Sequence, residues 1–110
     1  MSKKVSPIPR GYRTATPCLT VPSVDNAIAF YQAAFDAEIL TRRTSVDESA
    51  SIHATIKIGN SIIALNCEAP EQGILSPLSL GGSQAQTHLY VEDVDAAWLR
   101  ALESLSLIHI

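Results

Sequence analysis

The sequence predicts an α+β domain built from two β-α-β-β-β units, of which the second is incomplete and supplies only β-α. Three observations lead there: short stretches in which apolar and polar residues alternate, two stretches whose apolar residues recur every three or four positions, and one segment that returns 70 residues later. A chain of 110 residues has room for one domain.

Residues 1–12 carry Pro7, Pro9 and Gly11 and read as an extended arm, because proline lacks an amide donor and disfavours helix in the residue before it. Residues 13–67 make the first unit. From Arg13 to Val21, Thr14, Thr16, Cys18 and Thr20 share one face and Ala15, Pro17, Leu19 and Val21 the other, a first strand in which Pro17 marks an edge or a bulge. Ser23 is a candidate N-cap for a helix that presents Val24, Ala27, Ile28, Tyr31, Ala34 and Phe35 along one stripe and stops near Asp36. Asp25 in its first turn suits the positive end of the helix dipole.

Three strands follow at 37–46, 51–58 and 61–67, separated by Asp47-Glu48-Ser49 and by Gly59-Asn60, both turn chemistry. In the second of these, Ile52, Ala54, Ile56 and Ile58 face one way and His53, Thr55 and Lys57 the other. Such a sheet needs helices on its apolar side and a ligand, water or a partner on its polar side. Residues 68–86, with Pro70, Gly73, Pro77, Gly81 and Gly82, read as a linker loop. Residues 87–104 begin the second unit, with a fifth strand at Thr87–Val91 and a helix burying Val94, Ala97, Trp98, Ala101 and Leu102.

The duplication rests on laying Leu19–Phe30 over Leu89–Arg100: Leu19 meets Leu89, Val21 meets Val91, Val24 meets Val94, Asp25 meets Asp95, and Ala27 meets Ala97. Were the two units equal, about 35 further residues would complete the second, so the chain reads as C-terminally truncated. Residues 105–110, with no glycine cap before an apolar run, read as a non-native tail, and His109 receives no functional weight.

Eight Lys plus Arg against eleven Asp plus Glu leave a formal charge of -3, which removes the basic footprint of a nucleic-acid binder. No apolar run reaches the roughly 20 residues of a membrane span, and no apolar signal segment follows Met1, so the expected location is cytoplasmic without membrane association. Cys18 and Cys67 are expected as two reduced thiols on opposite faces.

Several ordered segments, P-I-P-R-G-Y-R-T-A-T-P-C-L-T-V, A-I-A-F-Y-Q-A-A-F-D-A-E, H-A-T-I-K-I-G-N-S, S-P-L-S-L-G-G and H-L-Y-V-E-D-V-D-A, together resemble the vicinal-oxygen-chelate superfamily, the glyoxalase, bleomycin-resistance and extradiol-dioxygenase group, and within it the PhnB-like branch of bacterial type. The resemblance implies paired βαβββ modules whose curled sheets carry helices outside and enclose a cavity inside, often with a divalent metal. It also implies a homodimer. Strand parity puts Thr16 and Cys18, His53 and Thr55, Ala64 and Asn66, and Gln86, His88 and Tyr90 on the cavity face.

The positions at which the family places metal ligands fall on Thr16, Ala64 and Gln86. A hydroxyl, a methyl and an amide do not make a divalent site, so no cofactor is expected; a metal would require a rearranged set such as His88, His53 and Glu68. His88 and His53 are the candidate catalytic groups, each able to move a proton near neutrality. Thr16, Cys18, Thr55, Asn66, Gln86 and Tyr90 are the candidate ligand contacts. Of Arg42 and Arg43, which alternate across a strand, one can reach the cavity and hold an anion, although solvation is the expectation for both. The functional expectation is a small-molecule-binding domain lacking the usual metal. The alternatives are a metal-dependent lyase of the lactoylglutathione lyase kind, an isomerase or an extradiol dioxygenase, and a fragment without function.

Overall fold

The structure is a computed structural model and describes residues 7–107. In chain order it contains strand β1 (Cys18–Val21), helix α1 (Val24–Phe35), strands β2 (Glu38–Thr44), β3 (Ser51–Ile58) and β4 (Ser61–Cys67), a 3₁₀ turn at Pro70–Gln72, the short helix α2 (Pro77–Leu80) and helix α3 (Val94–Leu107). One four-stranded sheet runs in the order β1-β4-β3-β2, with β1 parallel to β4 and the remaining pairs antiparallel. Architecture and connectivity are those of a single βαβββ unit with a further helix added.

Helix α1 begins and ends where its caps dictate. Ser23 is extended, and its side chain accepts from the Asn26 amide at 3.2 Å. Asp36 takes a left-handed conformation, φ 55°, and its amide reaches the Gln32 carbonyl, which closes the last turn and releases the chain into β2. The helix then lies across one face of the sheet. Val24 and Ile28 meet Ala37, Ala54, Ile56, Ile63 and Leu65 in the core, with Leu19, Val21, Ala27, Tyr31, Ile58 and Cys67 packed around them. The apolar face therefore uses even positions in β3 and odd positions in β1 and β4, as alternation requires. Ile52 is skipped where the β2-β3 register shifts between Arg43 and Thr44, so Ser51 and not Ile52 meets the first turn of α1, and Ile52 stays 39% exposed.

A carboxylate ties helix to hairpin. Asp25, in the first turn of α1, accepts from the Ser51 hydroxyl at 2.7 Å, from the Ser51 amide at 3.3 Å and from Arg42 at 2.9 Å. Arg42 thus sits on the helix-covered side, in a salt bridge rather than free in solvent. These bonds, the Ser51 hydroxyl's first, hold the Asp25 carboxyl below the usual carboxylate range.

Helix α3 packs on α1 rather than on the sheet. Ala97, Ala101 and the buried Ser104 share its inner side with Arg100, whose guanidinium donates to the Ala33 carbonyl at 2.6 Å and to both Asp36 oxygens at 3.0 and 2.6 Å. Two small residues let the helices approach closely, so the bulkier stripe of Val94, Trp98, Leu102 and Leu105 faces away. Trp98, expected in the core, is 65% exposed.

Three further expectations give way. The first strand starts at Cys18 rather than Arg13, because Pro17 has no amide to donate; its carbonyl still accepts from Ala64 at 2.9 Å, but the ladder ends there. Thr87–Val91 is not a strand. Alternation yields a strand only beside backbone free to pair, and this segment instead runs past the Gly59–Asn60 turn. The second unit is therefore represented by its helix alone. Residues 105–107 continue α3, and 108–110, with His109, lie outside the described residues. The 68–86 segment remains a connection but holds the 3₁₀ turn, α2 and an isolated bridge between Ala69 and Ile74.

Two outcomes follow from this packing. Ile56→Ala, at a fully buried position, is expected to cost about 2–5 kcal/mol in urea unfolding, whereas Trp98→Ala is expected to cost under about 1 kcal/mol. Equal losses would show that Trp98 is covered in solution. Because the folded Asp25 carboxyl is depressed, its stabilisation is complete above the unfolded carboxylate's pKa, about 4, and is lost as pH falls through the lower folded value. Asp25→Asn is therefore expected to flatten the acid limb of stability against pH below about pH 4, as read by denaturant titration across that range.

Candidate functional site

Strand register aligns the side chains on the face that α1 does not cover. Cys18 is opposite Ala64, Ala64 opposite Thr55, and Thr55 opposite Thr41, so these four make one row across all four strands. The next row is Thr20, Asn66, His53 and Arg43. Residues directly opposite in a sheet share a face, with Cβ atoms about 4.5–5.5 Å apart. The Thr41 and Thr55 hydroxyls are hydrogen-bonded to one another, and the Asn66 amide donates to the Cys18 sulfur at 2.9 Å. These contacts fix the polar rows much as Ile56 and Leu65 fix the opposite face.

The chain brings Cys18, His53, Thr55, Ala64 and Asn66 together on this face. The other candidates lie elsewhere. Thr16 and His88 line a hollow of about 290 Å³ beside Asn60 and Ser61, at the far end of the β3-β4 hairpin. With some 3.3 Å of rise per strand residue, His53 stands roughly 20 Å from that turn, so the two histidines do not serve one ligand. His88 and Tyr90 also border a larger hollow of about 830 Å³ between the hairpin turn and the C-terminal end of α1, where Tyr90 is 99% exposed. Gln86 is exposed on the segment that failed to become a strand. The shared hollow expected for His53, Asn66 and His88 is therefore divided, and the physical cause is the missing fifth strand.

A third hollow, about 710 Å³, opens between β1 and the Leu75–Ala85 connection, and Cys18 and Thr20 form its inner wall. Its outer wall is held by Glu68, which accepts from the Ser79 hydroxyl at 2.7 Å and from the Ser76 amide at 3.1 Å. Both bonds, the hydroxyl's first, keep the Glu68 carboxyl below its usual range. The carboxylate considered for a rearranged metal set is thus occupied in positioning α2.

Sequence reasoning passed over Arg43 as a solvated residue. The reason is a β-bulge: Ile39 is opposite Ile56 but Thr41 is opposite Thr55, so Leu40 is the extra residue and the phase of β2 reverses there. Beyond it, Arg42 falls on the helix side and Arg43 on the polar side. Short-range alternation carries no mark of such a bulge.

The resemblance implies a divalent metal, and the donors do not suit one. Thr16, Ala64 and Gln86 offer a hydroxyl, a methyl and an amide, and among the described residues no three His, Cys, Asp or Glu side chains gather into a metal-sized group.

The family model described as "Glyoxalase/Bleomycin resistance protein/Dioxygenase superfamily" matches residues 13–104. The chain belongs to this superfamily. Similar superfamily-length relatives include uncharacterized proteins of Mycobacterium bovis and Mycobacterium tuberculosis, each 39% identical over 92 residues, or 81% of this chain. That match covers 60% of the first and 54% of the second, so the chain spans just over half the length of these curated relatives. Among solved structures, an Arabidopsis thaliana gene product shares the fold with a TM-score of 0.69 at 21% identity, covering 84% of this chain and 73% of that one. FosX, a fosfomycin resistance protein of Listeria monocytogenes solved with Mn(II) and sulfate, gives a TM-score of 0.54 at 19% identity over 86% of this chain and 71% of its own. TioX of a Micromonospora species gives 0.53 at 19% identity, covering 84% and 70%.

Within this superfamily domain both cysteines are free thiols, Cys18 exposed beside the third hollow and Cys67 half-buried against the core. A disulfide reagent such as DTNB is expected to modify Cys18 first and Cys67 more slowly, with mass mapping of early adducts to distinguish them. Preferential labelling of Cys67 would contradict the assignment of faces.

Proposed function

We propose that this superfamily domain binds a small molecule on the uncovered face of its sheet and does so without a divalent metal. The observation that supports it is the division of the sheet: one face is closed by α1, while the other carries Thr20, Asn66, His53 and Arg43 in one row and Cys18, Thr55 and Thr41 in the next. Such a face suits water, a partner or a ligand, and the hollow of about 710 Å³ that opens beside Cys18 and Thr20 favours a ligand. Asn66 and Thr20 orient the ligand, the apolar wall of Leu75 and Leu80 receives its non-polar part, and His53 is the group on this face able to accept or return a proton. His88, which lines both hollows at the hairpin turn, with Thr16 in the smaller and Tyr90 in the larger, stands apart from this face.

The reading extends to the whole protein as follows. It is a PhnB-like domain of a bacterial cell, cytoplasmic, and homodimeric; the bacterial relatives and free thiols favour the first two, and the bare apolar side of α3 favours association. No helix among the described residues is long and apolar enough to cross a membrane.

The metal decides between this reading and a metal-assisted lyase, isomerase or dioxygenase. After incubation with Mn²⁺, Ni²⁺, Zn²⁺ or Fe²⁺ and desalting, elemental analysis is expected to find well under about 0.1 ion per chain, since three protein donors are lacking. One tightly held ion per chain would replace the proposal with the metal-dependent alternative.

A further inference from the structure

We infer that the ligand of this face carries an oxyanion, a carboxylate, phosphate, phosphonate or sulfonate, and that Arg43 is the residue that selects it. The inference rests on the reading of the uncovered face as the binding floor and adds the ligand's chemical class. Its basis is the distribution of charge around the sheet. Asp25 engages Arg42 on the helix-covered side and Asp36 engages Arg100 at the junction of α1 and α3. Asp47 is turned toward Ser45 and Ser49 within the β2-β3 loop, and Glu68 toward Ser76 and Ser79. Glu38 is opposite Lys57, two rows away.

Among the described residues no carboxylate pairs with Arg43, and Glu38, the acid within the polar face of the sheet, has Lys57 across from it. In a protein with a formal charge of -3, an arginine left without an acid, with His53 beside it and Asn66 one strand further on, forms a local concentration of donors. The guanidinium offers a planar pair of N–H groups that matches two oxygens of one oxyanion. Asn66 has a second amide hydrogen beyond the one given to Cys18. Nothing on this row repels negative charge. The 710 Å³ hollow walled by Leu75, Pro77 and Leu80 lies at the β1 edge, three strand spacings or about 14 Å from Arg43, and takes the far end of an elongated organic remainder that crosses the row.

The test uses backbone amide NMR shifts of the full chain with three probes: inorganic phosphate, acetate and neutral benzyl alcohol. The two anions are expected to shift Arg43, His53 and Asn66 saturably. Arg43→Gln, at an exposed position, is expected to weaken phosphate binding by about tenfold or more, while Arg42→Gln, the same charge change on the opposite face, leaves it unaltered. Equal weakening in both variants would show a general charge effect and overturn the role of Arg43. Benzyl alcohol shifting the row while the anions do not would overturn the oxyanion class and leave the binding face standing. No shift on the row with any probe would overturn both.

Discussion

A four-stranded sheet with one long helix across it can hide only one of its faces, and most of this molecule follows from that constraint. The hidden face collects Ala54, Ile56, Ile63 and Leu65 under Val24 and Ile28. Because side chains alternate strictly along a strand, committing Ile56 inward commits Thr55 and Lys57 outward, and committing Leu65 inward commits Ala64 and Asn66 outward. The polar rows are in this sense the obligatory reverse side of the core. Their composition is not obligatory, and the proposed recognition rests on it.

Around that core, carboxylates serve as connectors. Asp25 joins α1 to the β2-β3 hairpin, Asp36 joins α1 to α3 through Arg100, and Glu68 joins the end of β4 to α2. Exposed pairs of this kind contribute little individually to stability. Their value is directional: each sets the angle at which an element leaves the sheet, and together they occupy most of the acids near it. The consequence is electrostatic: on the open face Glu38 has Lys57 across from it, while Arg43 pairs with no carboxylate among the described residues.

Helix α3 shows how a repeated sequence can end in two environments. Val94 and Trp98 stand in sequence where Val24 and Ile28 stand in α1, yet the first pair is exposed and the second is buried. The same apolar stripe lies against a sheet in one case and against solvent in the other, since α3 is held to α1 by its small residues and by Arg100 instead. A stripe of this kind is a surface suited to further packing.

Local chemistry in the sequence determined a good deal unaided. Ser23 and Asp36 bound α1, the alternation in 53–58 and at Ala64, Asn66 and Cys67 assigned those residues to their faces, though it placed Ile52 on the wrong one, and the ordered motifs pointed to the superfamily. Those features are set by neighbours in the chain, through caps and side-chain periodicity. Tertiary structure alone decided that Leu40 bulges and turns Arg43 to the open face, that Thr87–Val91 finds no strand to pair with, and that His88 is parted from His53. Each of these depends on which backbone groups and surfaces lie alongside a segment after the chain has folded, and that information is distributed over residues far apart in sequence.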